Sequence, residues 1–285
     1  MPSCQITING IKKDLAIERP SFVFFKKAYK EIFELQDKNG KFMDKLEEAI
    51  KNQIVIYKIK QEDAVAILTE IKPTLDKFNQ SSVYPRYAKI GGKALEEYAR
   101  FIINDIQIRL GYKSESERYQ NFANSCALQV SYAFNNGKMP IKSLCALPSN
   151  ALRGDDGHLY YTGVPKIKEL LLRNWKQVKP FSKTNTKDFY KVFYANKEQY
   201  QSIASNPISR QKVRDENKKF FETLKALKQN GIVTMDIDTW DDAGGHTTFF
   251  DGENGKFLDD YDGEHNYLNH KNEYIFVREL CFWKI

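Results

Sequence analysis

Apolar positions along this chain follow a helical period first and a strand period later. Within residues 21–37, Phe22, Phe25, Tyr29, Ile32 and Phe33 recur at helical spacing behind Pro20, a favoured helix start. Residues 41–52 predict a second helix, and IVIYKIK at 54–60 reads as a short strand because apolar and lysine residues alternate at its end. Residues 62–78 keep a helical period that Pro73 interrupts, SSVYPRY at 81–87 reads as a loop, and Gly91-Gly92 is a further breaker. Residues 93–111 predict a helix closed by Gly111. Over 121–137, Asn124 or Ser125 offers an N-cap, Cys126, Val130, Ala133 and Phe134 share one face, and Gly137 ends the run. Further helices are predicted over 166–178 and 208–229, with a polar, mixed stretch at 181–207 that reads as an insertion or exposed subregion.

From residue 231 the pattern changes. GIVTMDID at 231–238, GGHTTFFDG at 244–252 and the alternating EYIFVRELCFWKI at 273–285 each read as a strand. Helices in the first two thirds and strands in the last third predict an α+β fold with an antiparallel sheet. No internal repeat or low-complexity tract interrupts it.

Composition narrows the function classes. A chain of 285 residues suits one large domain or one domain with insertions, and two small domains stay open. The net charge of +7 favours an anionic partner such as nucleic acid, anionic lipid or an acidic polymer like cell wall, and a solvated basic surface explains it equally. Lys and Arg are dispersed and no nucleic-acid motif is present, so a basic nucleic-acid-binding domain is the weaker competing class. No run of about 18 apolar residues exists to span a membrane. The N-terminus lacks an apolar core of secretory length, so the expectation is a protein made in the cytoplasm without a signal peptide.

The four cysteines, Cys4, Cys126, Cys145 and Cys281, form no CxxC pair, and no histidine has a ligand partner at fixed spacing, so neither a metal nor another cofactor is expected. Cys126 is placed in the first turn of a helix, where the positive end of the macrodipole favours a thiolate and free N–H groups can face an oxyanion. The same cysteine read alone is more often a small buried hydrophobe. Among His158, His246, His265 and His270, only His246 lies on a predicted strand, behind two glycines that permit close backbone approach. A base on a rigid strand facing a thiol on a helix suits nucleophilic catalysis. His158 looks surface-exposed in its Gly-Asp-Asp-Gly-His loop, and His265 and His270 are spare contacts in a polar loop. Asp251, Asp259, Asp260 and Asp262 follow His246. Asp251 is expected to close the strand with Gly252, while Asp259 and Asp260 lie a hairpin's length on, where either can return beside the imidazole. Nucleophile helix first, base strand second and orienting residue third is the order of papain-like hydrolases.

Several segments resemble the fourth family of type VI secretion amidase effectors. They are RPSF at 19–22, KIGGKA at 89–94, NSCALQVSYAFN at 124–135, LYYTGVPKIKELL at 159–171, GIVTMDIDTWDDAGGHTTFFDG at 231–252 and LCFWKI at 280–285. The nucleophile and Gly-His segments are the specific ones. Residues 38–80 and 181–225 look like insertions relative to compact members, Phe249-Phe250 departs mildly from the family's pattern, and the distance from His246 to the aspartate is longer.

The resemblance implies a papain-like cysteine hydrolase over residues 1–285, its nucleophile helix packed on an antiparallel sheet. It implies Cys126 as nucleophile, His246 as base, and Asp259, with Asp260 next, as orienting group. It also implies the γ-D-glutamyl–meso-diaminopimelate bond of peptidoglycan stem peptides as substrate, delivery by a type VI secretion apparatus into a target's periplasm, and a cognate immunity protein. Neither nucleic acid nor membrane is an expected partner. A papain-like hydrolase, deamidase or transglutaminase acting on protein is the alternative, since a fold does not fix a substrate.

Overall fold

The chain, seen in a computed structural model, is described at residues 3–8, 11–16, 18–77, 82–118, 122, 124–175, 178–239 and 244–285. In order it runs β1 (Ser3–Ile8), β2 (Ile11–Ala16), α1 (Phe22–Phe33), α2 (Lys41–Ile56), α3 (Gln61–Lys77), α4 (Tyr84–Ile90) and α5 (Gly92–Arg109). Then come α6 (Cys126–Asn136), β3 (Leu152–Arg153), β4 (Leu159–Tyr160), α7 (Val164–Trp175), β5 (Lys179–Pro180), β6 (Phe189–Val192), α8 (Glu198–Ser205) and α9 (Pro207–Leu227). The last third holds β7 (Gly231–Asp236), β8 (His246–Asp251), β9 (Lys256–Phe257) and β10 (Glu279–Lys284). This is an α+β architecture, as the segregated pattern predicts. Short strands before residue 231 and the hairpin β1–β2 are additions the pattern alone does not predict.

Two compact units divide the chain. The first comprises Met1–Lys30, Cys126–Ser149 and Gly163–Ile285. Its sheet has the order β5-β6-β10-β7-β8-β9, antiparallel throughout except for β5 with β6. All six residues of β8 are buried, because successive side chains on a strand point to opposite faces and both faces are covered. Phe249 meets Phe25 and Tyr29 of α1 at ring-centroid distances of 5.4 and 5.2 Å. Phe250 meets Phe257 of β9 at 5.3 Å and Phe221 of α9 at 6.5 Å. Helix α6 packs on β8 and is buried from Ala127 to Asn135. Lys168 of α7 bonds Asp236 at 2.9 Å and Glu279 at 2.6 Å, tying that helix to the ends of β7 and β10.

The second unit comprises Glu31–Ser125 and Asn150–Thr162. It packs α2 against α4 and α5, with α3 on α5 and the hairpin β3–β4 beside α5. Tyr87 of α4 stacks on Tyr98 of α5 at 4.4 Å. Between those helices Gly91 and Gly92 take φ of 68° and 54°, and a Cβ on Gly92 would lie 2.7 Å from the Arg153 carbonyl. The breaker read in the sequence is thus a tight reversal that only glycine fits.

Several expected elements differ. Residues 54–60 are not a strand: Ile54 to Ile56 finish α2, since Leu46, Ile50, Gln53 and Ile54 continue one buried helical stripe that outweighs the local alternation. Residues 81–87 are not all loop, because α4 begins at Tyr84 with Pro85 in its first turn, where proline's missing N–H is no loss. Helix α3 runs through Pro73, carried by the buried face of Ile67, Ile71 and Leu75. The stretch 181–207 is not simply exposed. Phe189 of β6 is fully buried and stacks on Phe282 at 5.0 Å, but a four-residue strand offers too few periods to reveal itself. Residues 181–225 also supply Phe220, Phe221 and Leu224 of α9 to the same core.

Candidate active site

Three segments of the first unit converge on one imidazole. Cys126 is the first residue of α6, half-buried, with a free thiol. Its place at the helix start leaves first-turn N–H groups without intrahelical partners. His246 is the first residue of β8, opposite Met235 of β7 in the sheet register, and is 6% exposed. Gly245 precedes it with φ 148°, and a Cβ there would lie 2.1 Å from the Met235 carbonyl oxygen. The glycine that the sequence marks for close approach is what lets β8 enter the sheet against β7.

Asp259 arrives through the β8–β9 hairpin. Asp251 closes that turn as expected, accepting from the Asn254 backbone N–H at 3.1 Å and from Lys26 at 2.6 Å. Phe250 pairs with Phe257, and the Leu258 N–H donates to the Phe249 carbonyl at 2.9 Å, so the pairing continues until Asp259 lies beside Thr248. The carboxyl of Asp259 is 2% exposed and meets three groups. His246 Nε2 lies 2.9 Å from Oδ2, Tyr29 donates to Oδ2 at 3.0 Å, and Thr248 donates to Oδ1 at 2.8 Å. With Nε2 turned to Asp259, Nδ1 is the ring nitrogen that the carboxylate leaves unengaged.

The electrostatics follow from this burial. Desolvation alone would push His246 down, but the charge and hydrogen bond of Asp259, then the Cys126 side chain, outweigh it and raise the imidazole to about 10. Desolvation would push Asp259 up, and the imidazole's charge and hydrogen bond, with help from His265 and Thr248, hold it below the usual carboxylate range. An imidazolium beside a carboxylate is the state this array favours.

The other sequence candidates fall elsewhere. The imidazole of His246 bonds Asp259 and not Asp260, and burial, together with the charge of Asp259, raises the Asp260 carboxyl against the opposing backbone groups of His265 and Gly263. Asp262 is exposed. His265 donates from Nδ1 to the Asp259 carbonyl at 2.8 Å and lies parallel to the His246 ring at 6.0 Å, so it borders the site as a structural neighbour. His270 stacks on Tyr267 at 5.6 Å. His158 lies in the second unit, in the turn between β3 and β4, and is half-buried where the sequence suggests surface exposure. Cys281 is buried and Cys145 is disulfide-bonded. Among the described residues no group of three or more His, Cys, Asp or Glu side chains is gathered to hold a metal ion, and no helix is long and apolar enough to cross a membrane.

Sequence reasoning missed Tyr29, Thr248 and Tyr267, whose ring edge meets His246 at 4.9 Å. Thr248 carried a signal, since two residues along a strand share a face with His246. Tyr29 carried none beyond its place on the apolar stripe of α1.

No protein-family model matches the chain, and no curated protein matches it. Solved structures do. The type VI effector–immunity complex Tae4-Tai4 from Enterobacter cloacae shares 15% identity over 94% of this chain and 99% of that chain, with a TM-score of 0.42. The Tae4 / Tai4 effector–immunity system from Salmonella typhimurium shares 15% over 94% and 99%, also at 0.42. The type VI effector Tae4 from Enterobacter cloacae shares 14% over 95% and 99%, at 0.41. The structural neighbours of the chain are thus Tae4 type VI effectors, at low sequence identity.

Proposed function

We propose that this protein is a papain-like cysteine amidase that cuts the γ-D-glutamyl–meso-diaminopimelate bond of peptidoglycan stem peptides. In this reading Cys126 is the nucleophile, His246 the general base and acid, and Asp259 the group that orients the imidazole, with Asp260 outside the array. The supporting observation is the buried Asp259–His246 pair at 2.9 Å, with the Cys126 side chain near enough to help raise the imidazole. The choice of wall as substrate rests on the resemblance of the nucleophile and Gly-His segments to the amidase effectors. The surplus of positive charge would favour encounter with the carboxylates of a stem peptide.

The chemistry is amide hydrolysis in two steps. The Cys126 thiolate attacks the carbonyl carbon, and a first-turn N–H of α6 stabilises the oxyanion. The imidazolium hands its proton to the departing amine as the C–N bond breaks, leaving a thioester. Water, deprotonated by His246, attacks that thioester. The thiol leaves and the carboxylic acid is released. No metal or organic cofactor enters either step.

Under this reading the chain is an antibacterial effector, loaded in the producer's cytoplasm by a type VI secretion apparatus and delivered to a target periplasm. A cognate immunity protein would protect the producer. Residues 1–285 would form a single papain-like domain elaborated by the insertions 38–80 and 181–225. The test is digestion of purified Gram-negative peptidoglycan, with fragments read by mass spectrometry, for the wild type beside Cys126→Ala and His246→Ala. Release of dipeptide-stem fragments by the wild type alone supports the reading. An untouched wall refutes the substrate and moves the search to protein amides.

A further inference from the structure

We propose that Tyr29 and Thr248 are positioning residues of the Cys126–His246 pair. Their hydroxyls both donate to Asp259 and so hold it as the ionised acceptor that keeps a proton on Nε2 of His246. This inference rests on the Cys/His reading above and adds how the site is held in its reactive tautomer.

The argument is an accounting of protons. Tyr29 lies 3.0 Å from Asp259 Oδ2, Thr248 lies 2.8 Å from Oδ1, and the two hydroxyl oxygens are 3.2 Å apart. Each hydroxyl has one hydrogen, and an ionised carboxylate only accepts. With both hydrogens spent on Asp259, neither is left for the other hydroxyl, and Oδ2 still faces His246 Nε2 at 2.9 Å. Only Nε2–H satisfies that contact. The proton of Cys126 must then go to Nδ1. Were Asp259 to take a proton, a buried donor would lose its acceptor, and an unmet buried donor is costly.

The titratable groups around the carboxyl among the described residues fit the same assignment. Tyr29 comes from α1, Cys126 from α6, and His246 and Thr248 from β8, while Asp260, His265 and Tyr267 lie on the segment after β9. Tyr29 is fully buried, and desolvation with the charge of Asp259 holds its hydroxyl well above the usual phenol range, so it remains a donor at any working pH. Its ring packs edge-on to Phe249 at 5.2 Å, so a phenylalanine in its place keeps the packing and removes only the donor.

The test follows His246 directly in the full chain, by titrating its imidazole with 15N and 13C NMR, beside the alkylation rate of Cys126 by iodoacetamide read by peptide mass spectrometry. Tyr29→Phe and Thr248→Val should each lower the His246 midpoint by about one pH unit and slow alkylation at neutral pH about tenfold. Thr248→Ser keeps the hydroxyl and should match the wild type. In the double variant, at a pH above the His246 midpoint where the ring is neutral, the tautomer signal should move from Nε2–H toward Nδ1–H. The proposal is overturned if the folded variants keep the wild-type midpoint and tautomer, or if Thr248→Ser falls as far as Thr248→Val. Should Tyr29→Phe fail to fold, the Thr248 pair alone decides. Neither readout needs a wall, so a wild type with a high His246 midpoint that leaves peptidoglycan uncut refutes only the substrate. A wild type whose His246 titrates near the ordinary 6.5 overturns this inference whatever it cuts.

Discussion

Replacing Asp259 by asparagine removes one charge and almost no volume. The carboxylate receives three donors, from His246 at 2.9 Å, Tyr29 at 3.0 Å and Thr248 at 2.8 Å. An amide offers one oxygen and an NH2 that can only donate. If the NH2 takes the place of Oδ2, His246 must present a bare Nε2 and carry its proton on Nδ1, toward Cys126, where it blocks proton transfer from the thiol. If the NH2 takes the place of Oδ1, the tautomer survives but the charge is gone. Opposite unit charges about 4 Å apart at an effective dielectric near 20 are worth about 4 kcal/mol. At about 1.4 kcal/mol per tenfold, losing that stabilisation of the imidazolium lowers the rate about 10³-fold. Asp259 does not reach the substrate, so KM should stay within about threefold. Initial rates on a soluble stem peptide, with thermal melts to show that the variant folds, make the measurement. A folded Asp259→Asn protein that keeps a third or more of wild-type turnover would refute the assignment of Asp259 and the electrostatic argument together.

Asp260→Asn should change turnover by less than about fivefold, because the imidazole bonds Asp259 and not Asp260. Comparing its rate with that of Asp259→Asn separates the two aspartates. Gly245→Ala should destabilise by roughly 2–4 kcal/mol, since the new Cβ meets a backbone carbonyl 2.1 Å away at a φ of 148°. A urea midpoint equal to wild type would contradict the close approach of β8 to β7. Phe189→Ala should cost about 3–5 kcal/mol in the same assay, whereas a residue of a detachable insertion would cost almost nothing. For pH, the stabilisation from His246, whose pKa is raised from 6.5 to about 10, is complete below 6.5 and lost as pH climbs through about 10. That from Asp259, whose pKa is depressed, is present above 3.8 and lost as pH falls below it. The urea-midpoint advantage of wild type over His246→Gln should therefore be greatest between about 4 and 6.5 and shrink toward pH 10.

What could be read in the sequence was whatever depends on neighbours along the chain. The period of α1, α5, α6, α7 and α9 is local, and so is the placement of Cys126 at a helix start and of His246 at a strand start. The turn closed by Asp251 is local too, because an Asp-Gly pair after an apolar run has few alternatives. Residues 54–60 were misread because three residues of alternation weigh less than a helical stripe that begins at Leu46 and is completed only by packing. Phe189 was hidden because β6 is four residues long and pairs with β10, ninety residues onward. Asp259 and Asp260 were separable only by hairpin register, since adjacent strand residues face opposite ways and one step of slip exchanges them. Tyr29 was hidden for a different reason. Its ring obeys the apolar stripe, and nothing local shows that its hydroxyl ends on a carboxylate 230 residues away.

That long separation bears on what the fold must deliver before any chemistry can occur. A carboxylate as buried as Asp259 is unfavourable until its three donors are in place, and those donors come from α1 and β8. Phe25 and Tyr29 dock α1 on Phe249, so the apolar contact that seats the helix also carries the tyrosine hydroxyl to the carboxyl. The same Phe25 meets Phe134 of α6 at 5.4 Å, so the helix that begins at Cys126 is seated by the same ring. Any piece of the chain that holds all of these groups must span residues 25–259. In an unfolded or partly folded chain the thiol has neither a raised imidazole nor a buried carboxylate beside it. On the proposed reading, reactivity is therefore a property of the core of this unit, and the part of the fold that looks most structural, an aromatic cluster on a sheet face, is what brings the proposed array together.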